Sequence, residues 1–533
     1  MTPCARGPFR PLVSFPPGAP RRLEFRNSMK KTPPSPQKTR LSRSRGSAAL
    51  LERLARAGET GIPIDRLGEL YEIDLSRRNK IDKKVRGQYF TPGDVAELMS
   101  DWFLPLKGEN LCDVCCGTGN LIVPVLRKLG RRKARALIAA GRLYLYDLDE
   151  TALTICRDLI GALFGRDIQD AVRAVPGDFL SSDVHLPENC KVISNPPYSK
   201  IRELSDAWAL TDALVSSREY YSAIMEKILD QSRASVIITP YSFIGGKKFY
   251  PLRRAMNGRS GFIVSFDNVP GNIFRGKKHG VFNSNTSNSV RAAITVTDDR
   301  EKAAGYRVSP LIRFKNEERA ELLTPARLES FFGKTRQSVT PDAPRYRKCF
   351  PALEEILDRW RQKAEGETLS DLLAKGGKYA LCVPSTCRYF SVASRRDLRR
   401  VGKYTLAFDD AQAWGFAYAM INSSFCYWHW RLYDGGIAYP ISLLKEMPSV
   451  YHRLTPAEKR TFLKTADEMA RSEEKFLSYK KNAGRPQENI KFPKEYRERL
   501  NRLVLRVLGF PGRGADPFGV VHSNRALSAS EGE

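Results

Sequence analysis

An apolar strand that runs straight into a glycine turn and then a helix leaves a chain few folds to choose from. Here it is Leu111-Cys112-Asp113-Val114-Cys115-Cys116-Gly117-Thr118-Gly119-Asn120-Leu121, with a helix expected over Leu121–Leu129. Glycines in such a turn let the backbone approach a ligand closely, and a helix N-terminus favours polar or anionic groups. The third glycine of the dinucleotide pattern is absent, which counts against NAD. The cysteines suit the turn as small packing residues. With five histidines in the chain, none placed to help, no metal site is expected.

The same grammar repeats downstream. Arg142–Tyr146 has strand character and ends at Asp147, with Asp149 two positions on and a helix expected over Ala152–Phe164. A carboxylate at the end of the second strand of such a unit can bind both ribose hydroxyls. Val175-Pro176-Gly177-Asp178-Phe179-Leu180 puts another acid at a strand end, suited to an adenine amino group. Each aspartate alone is equally a helix cap or a loop acid; their succession is what carries weight. The run Lys191-Val192-Ile193 then leads into Asn195-Pro196-Pro197-Tyr198. The Asn195 side-chain oxygen and the Pro196 carbonyl are acceptors for an exocyclic amine. Two prolines remove N–H donors and stiffen the turn. Tyr198 offers a flat face for a planar base. Upstream, Gly87-Gln88-Tyr89-Phe90-Thr91-Pro92 places a hydroxyl at the start of a helix expected over Asp94–Trp102, where Asp94 can also cap.

This order resembles the N6-adenine DNA methyltransferases of bacterial restriction–modification systems, in the arrangement with the cofactor motifs before the catalytic one. The resemblance covers residues 85–300. It implies an α/β fold: a Rossmann-like S-adenosylmethionine-dependent methyltransferase domain with a C-terminal mixed α/β target-recognition region. It assigns Thr91, Pro92, Asp113, Gly117, Gly119 and Asn120 to S-adenosylmethionine. Asp147 matches the acid on the ribose, and Asp178 with Phe179 the position facing the cofactor adenine. Asn195, Pro196, Pro197 and Tyr198 match the catalytic motif that receives an adenine flipped out of duplex DNA. Phe282, in Arg275-Gly276-Lys277-Lys278-His279-Gly280-Val281-Phe282-Asn283, would cover the second face of that base. The chain has Val114 where a proline often follows the first acid.

Charge agrees with a nucleic-acid partner. In 533 residues, 88 Lys and Arg face 59 Asp and Glu, a net charge of +29. A domain-scale excess of this size is the footprint of a polyanion. No apolar run approaches the roughly 20 residues of a spanning helix, so no membrane partner is expected. Ten scattered cysteines lack a secreted disulfide spacing, which points to a reducing cytoplasm.

Five regions are expected. Residues 1–46 hold nine prolines and eleven Lys and Arg against Glu24 alone, a disordered basic tail within which Met29 offers another start. Residues 47–84 form a helical segment, and 85–300 the catalytic domain, with a helical stretch over Ile201–Leu229 and strands over Ser235–Thr239 and Val290–Val296. Within it, Gly245-Gly246-Lys247-Lys248 is a basic loop open to either phosphate contact or plain solvation. Residues 301–450 are assigned to DNA target recognition. There Tyr418 to Arg431 interleaves aromatic and basic residues, suited to phosphates and base edges or, equally, to a core. Residues 451–533 are mostly helical, with Glu495–Leu508 amphipathic, before a Gly/Pro-rich tail. Two other readings stay open: methylation of RNA or protein glutamine, and a noncatalytic DNA-binding subunit that keeps the fold. No nuclease cluster is visible, so cleavage would need a separate cognate restriction endonuclease.

Overall fold

The middle strands are apolar at nearly every position because both of their faces are covered. The computed structural model describes residues 91–274, 290–298, 303–482, 484–510 and 516–527. The expected tail, the 47–84 helices and Phe282 lie outside the described residues. The strands are β1 (Asn110–Val114), β2 (Leu143–Asp147), β3 (Arg173–Pro176), β4 (Cys190–Ser194), β5 (Ala234–Pro240), β6 (Ser260–Phe266), β7 (Ala292–Thr297) and β8 (Gly305–Ile312). They form one sheet in the order β3-β2-β1-β4-β5-β7-β6-β8. Only β7 runs antiparallel to its neighbours. This is a Rossmann-like α/β fold, with its topological switch point between β1 and β4.

Alternate side chains go to opposite layers. Leu111, Ile193, Val236 and Ile238 pack with helices α1 (Gly93–Phe103), α2 (Ile122–Leu129), α3 (Arg131–Ala139) and α4 (Glu150–Phe164). Cys112, Val114, Val192 and Ile237 pack with α5 (Asp212–Ser217), α6 (Tyr220–Gln231) and α7 (Tyr250–Met256). A lysine inside β4 would break this pattern unless its charge were met. The Lys191 ammonium reaches the carbonyls of Phe103, Leu104 and Leu106 at 3.3, 3.0 and 3.1 Å. A cation at the carbonyl end of α1 also meets the negative end of its dipole. Strand β4 is thereby tied to the helix that follows Thr91.

Several expectations change. The helix expected over Ala152–Phe164 begins at Glu150, because Asp149 caps it by accepting from Thr151 N and Ala152 N. The stretch Ile201–Leu229 is not one helix. It runs as a loop to Thr211, then as α5 and α6, broken at Arg218 in the left-handed conformation. Tertiary bonds hold that loop extended, from Ser182 N to Ala207 O (2.8 Å) and from the Trp208 indole to Asp178 (2.9 Å). The domain boundary at residue 300 is crossed by β8, which pairs with β6, and the described residues on both sides of it pack as one unit.

Beyond β8 the chain is mainly helical: α8 (Glu354–Ala364), α9 (Ala411–Asn422), α10 (Ser424–Tyr433), α11 (Pro456–Arg471) and α12 (Lys494–Val507). Two ribbons accompany them, β9 (Tyr379–Pro384) with β10 (Lys403–Phe408), and β11 (Leu477–Asn482) with β12 (Arg485–Ile490). The second ribbon was not expected from the sequence. The aromatic run from Tyr418 is a corner, with Ser423 ending α9 and capping α10. Tyr418, Phe425, Tyr427, Trp428 and Trp430 are all buried. Arg431 is buried too, against Asp267 at 2.6 Å. This run is core, and it offers nothing to a phosphate or a base. The Gly245-Gly246 loop is a contact as well. A Cβ on Gly245 would lie 1.8 Å from the Tyr433 carbonyl, and Lys248 pairs with Glu219 at 2.5 Å. Among the described residues no helix is long and apolar enough to cross a membrane.

Candidate active site

Four adjacent parallel strands deliver the candidate residues to one edge of the sheet. Asp113 lies within β1, Asp147 ends β2, Asp178 follows β3, and Asn195–Tyr198 follow β4. At the switch point, Ser194 Oγ donates to Val114 O at 2.6 Å, locking β4 to β1 just before each turn begins. Thr91, just before α1, meets the second of these turns. The Asn195 side-chain amide donates to Thr91 Oγ1 at 3.0 Å. That bond fixes the rotation of the amide, so its oxygen is the acceptor on the other side. Pro92 starts α1, and no side chain caps that helix. The hydroxyl expected to cap it is engaged with Asn195, and Asp94 pairs with Arg319 at 2.5 and 2.9 Å.

The glycine turn is held from β2. Asp147 accepts from Gly117 N at 2.7 Å and from Asp149 N at 2.9 Å, one N–H on each oxygen. Each carboxylate oxygen has a second lone pair, so ribose hydroxyls remain admissible. Its glycines differ in use. A Cβ on Gly117 would meet nothing within 4 Å, so that flank of the loop stands open to a ligand. A Cβ on Gly119, at φ +92°, would lie 2.8 Å from Cys156 Sγ. Gly119 therefore serves the packing of the loop on α4. Asn120 follows it, partly exposed, ahead of α2.

Negative charge concentrates here. Asp113 is fully buried, and among the described residues the Ile122 N–H is the one donor near its carboxylate, outside good hydrogen-bond geometry. Burial, then the Asp147 carboxylate, raise its pKa well above the usual range, opposed only by the nearby Ile122 N–H. Burial also raises Asp147, and its bonds from Asp149 and Gly117 partly offset this. The Cys115 thiol is pushed up by burial and then by Asp147, Asp113 and Asp178 together, which places all three carboxylates around one turn. Such a turn suits a cationic ligand.

Asp178 accepts from Leu180 N at 2.9 Å and from the Trp208 indole at 2.9 Å. Phe179 is buried edge-on to Tyr146, with Lys227 over its ring and bonded to its carbonyl. Trp208 was missed by sequence reasoning. Its only signal was an indole in a polar stretch after the proline turn. Tyr198 is half-buried; its hydroxyl donates to Ile238 O at 3.2 Å, and its ring meets Tyr221 and Phe274 edge-on. Tyr198 also lines a cavity of about 400 Å³, walled too by Tyr221, Tyr241, Arg291 and Tyr433. Neither Asn195 nor the glycine turn lines it.

With this geometry in view, the comparisons with known proteins agree with one another. The N-6 DNA Methylase family matches residues 63–279. The chain is 27% identical over 219 residues to the type II methyltransferase M.VspI of Vibrio sp. (strain 343), covering 39% of this chain and 49% of that protein. It is 28% identical over 148 residues to the type I restriction enzyme MpnII methylase subunit of Mycoplasma pneumoniae, covering 26% of each. The chain spans half or less of the length of these relatives. Among solved structures, the M protein of the type I restriction enzyme EcoKI has a TM-score of 0.34 at 14% identity, covering 72% of this chain and 73% of that one. The methylase family implies S-adenosylmethionine as methyl donor. The open flank of Gly117 and the acids Asp147 and Asp178 near Cys115 fit that cationic group.

Proposed function

We propose that this chain transfers a methyl group from S-adenosylmethionine to N6 of an adenine flipped out of duplex DNA, as the modification component of a restriction–modification system. The observation that carries the reading is the 3.0 Å bond from Asn195 to Thr91, which ties the amine-binding turn to the segment that starts α1. S-adenosylmethionine, when bound, supplies an electrophilic methyl group on a cationic sulfur. Asp147 would hold its ribose, and Asp178 with Phe179 its adenine. Asn195 Oδ1 and the Pro196 carbonyl accept the two N–H bonds of the target amine. Pro197 keeps that turn rigid, and Tyr198 stacks on the base. Acceptors on one side favour a pyramidal nitrogen and turn its lone pair to the other, so positioning supplies much of the acceleration. Asn195 is neutral and takes no proton; the proton leaves to solvent after transfer. The cleaving partner would be a separate endonuclease, and the site of action the cytoplasm, where the DNA is.

The test is transfer of label from S-adenosylmethionine to unmethylated genomic DNA, with nucleosides identified after digestion and the modified site mapped. N6-methyladenine from the wild type, and none from Asn195→Ala that still binds cofactor, is the expected result. Cofactor binding with label only in RNA or protein would refute the choice of substrate.

A further inference from the structure

The cavity lined by Tyr198 includes none of the residues assigned to the cofactor, yet a built charge imbalance borders it. Asp267, fully buried after β6, faces three guanidiniums. Arg431 Nη1 donates to it at 2.6 Å, Arg291 Nε at 2.8 Å and Arg313 Nη2 at 3.2 Å. One carboxylate against three cations leaves two positive charges with almost no water around them. Two of the three are spent on other partners. Arg431 also donates to Leu311 O, and Arg313 to Tyr427, Asn524 and Arg388 O. Among the described residues the Arg291 side chain bonds through Nε to Asp267 alone; it is 12% exposed and lines the cavity. Its two η nitrogens therefore form a fixed fork, the geometry that suits phosphate oxygens.

Lys348 does not line the cavity itself but packs against Tyr241, which does. Lys348 is buried, its ammonium has no hydrogen-bond partner, and it lies 5.7 Å from the Tyr241 ring centroid. Burial lowers its pKa to about 7. Of the carboxylates lining the cavity, Glu219 is paired with Lys248 at 2.5 Å, while Asp434 accepts from Gly436 N at 2.6 Å and keeps its charge. The excess on that wall is therefore one positive charge smaller than the arginine cluster alone would give. We propose that Arg291 binds a backbone phosphate next to the target adenine, so that the cavity seats the sugar–phosphate of the flipped nucleotide while Tyr198 faces its base. This rests on the DNA-methylation reading above.

The test measures binding of the full chain, with cofactor present, to a short duplex carrying the mapped site across a salt series. Loss of one phosphate contact should reduce the slope of log affinity against log salt by about 0.9. Arg291→Ala is expected to show that reduction, and Arg291→Lys, which keeps the charge, to retain the wild-type slope. Independently of any variant, a neutral methylphosphonate placed singly beside the target adenine should weaken the wild type at one position. Arg291→Ala should be indifferent to that substitution. Wild-type binding that ignores every flanking methylphosphonate, or an unchanged slope in Arg291→Ala, overturns the inference and leaves the methylation reading standing. A wild type that binds no duplex overturns both.

Discussion

Replacing Asp267 with asparagine keeps the shape of the side chain and deletes the one negative charge among three buried arginines. Burial alone would raise this carboxyl, but Arg431, Arg291 and Arg313 more than reverse that and bring it from 3.8 down to about 2. At about 1.4 kcal/mol per pH unit, the folded protein prefers the charged form by about 2 kcal/mol. Removing one partner from a buried ionic group typically costs about 3–5 kcal/mol, because the charges left behind are unpaired. Asp267→Asn should therefore lose between about 2 and 5 kcal/mol at pH 7. The sign of the pH dependence follows from linkage. A depressed folded pKa gives stability that is present above 3.8 and lost as pH falls through about 2. The gap between wild type and variant should thus shrink on acidification. Hydrogen exchange is the suitable assay, since a chain of this size need not unfold in two states. Amides of β8 and α10, which carry Arg313 and Arg431 at their ends, should lose protection first. Equal protection at pH 7, or a gap that widens toward acid, would refute the reasoning.

Three smaller perturbations test the site itself. Thr91→Ala removes the acceptor that orients Asn195; one neutral hydrogen bond is worth about 1 kcal/mol, so kcat/KM for methylation should fall about fivefold, and Thr91→Ser should restore it. Asp113 has a raised folded pKa, so the stability it confers is present below its unfolded value and lost as pH rises. Asp113→Asn should accordingly unfold at higher denaturant than wild type at neutral pH but not in acid, while binding the cationic cofactor more weakly by calorimetry. Gly119→Ala combines a positive φ with a Cβ 2.8 Å from Cys156 Sγ. It should destabilise by about 1–3 kcal/mol in thermal or urea unfolding, and adding Cys156→Ala should recover part of that loss.

What the sequence made legible is what a short stretch can encode alone. The apolar run before Gly117, the acid at the end of each of the next two strands and the proline turn after β4 all place a polar group within a few residues of a buried strand. Parallel pairing then brings those ends together without further instruction. Elements set by distant partners were not legible. The loop holding Trp208 stays extended because an aspartate 30 residues earlier accepts its indole. The strand β8 lies past the expected boundary because β6 offers it an edge. The run from Tyr418 to Arg431 is the sharpest case. A helix that stacks bases and a helix that fills a core both call for Tyr, Trp and Phe, and composition does not separate them. What separates them is the arginine. Against DNA it would need open water on one side, whereas here its charge is met by Asp267, 164 residues away, whose own position depends on the whole sheet having formed. The excess positive charge of that cluster reaches the cavity lined by Tyr198 through Arg291. The contact between the strands and the C-terminal helices and the phosphate site proposed above are thus two consequences of the same carboxylate.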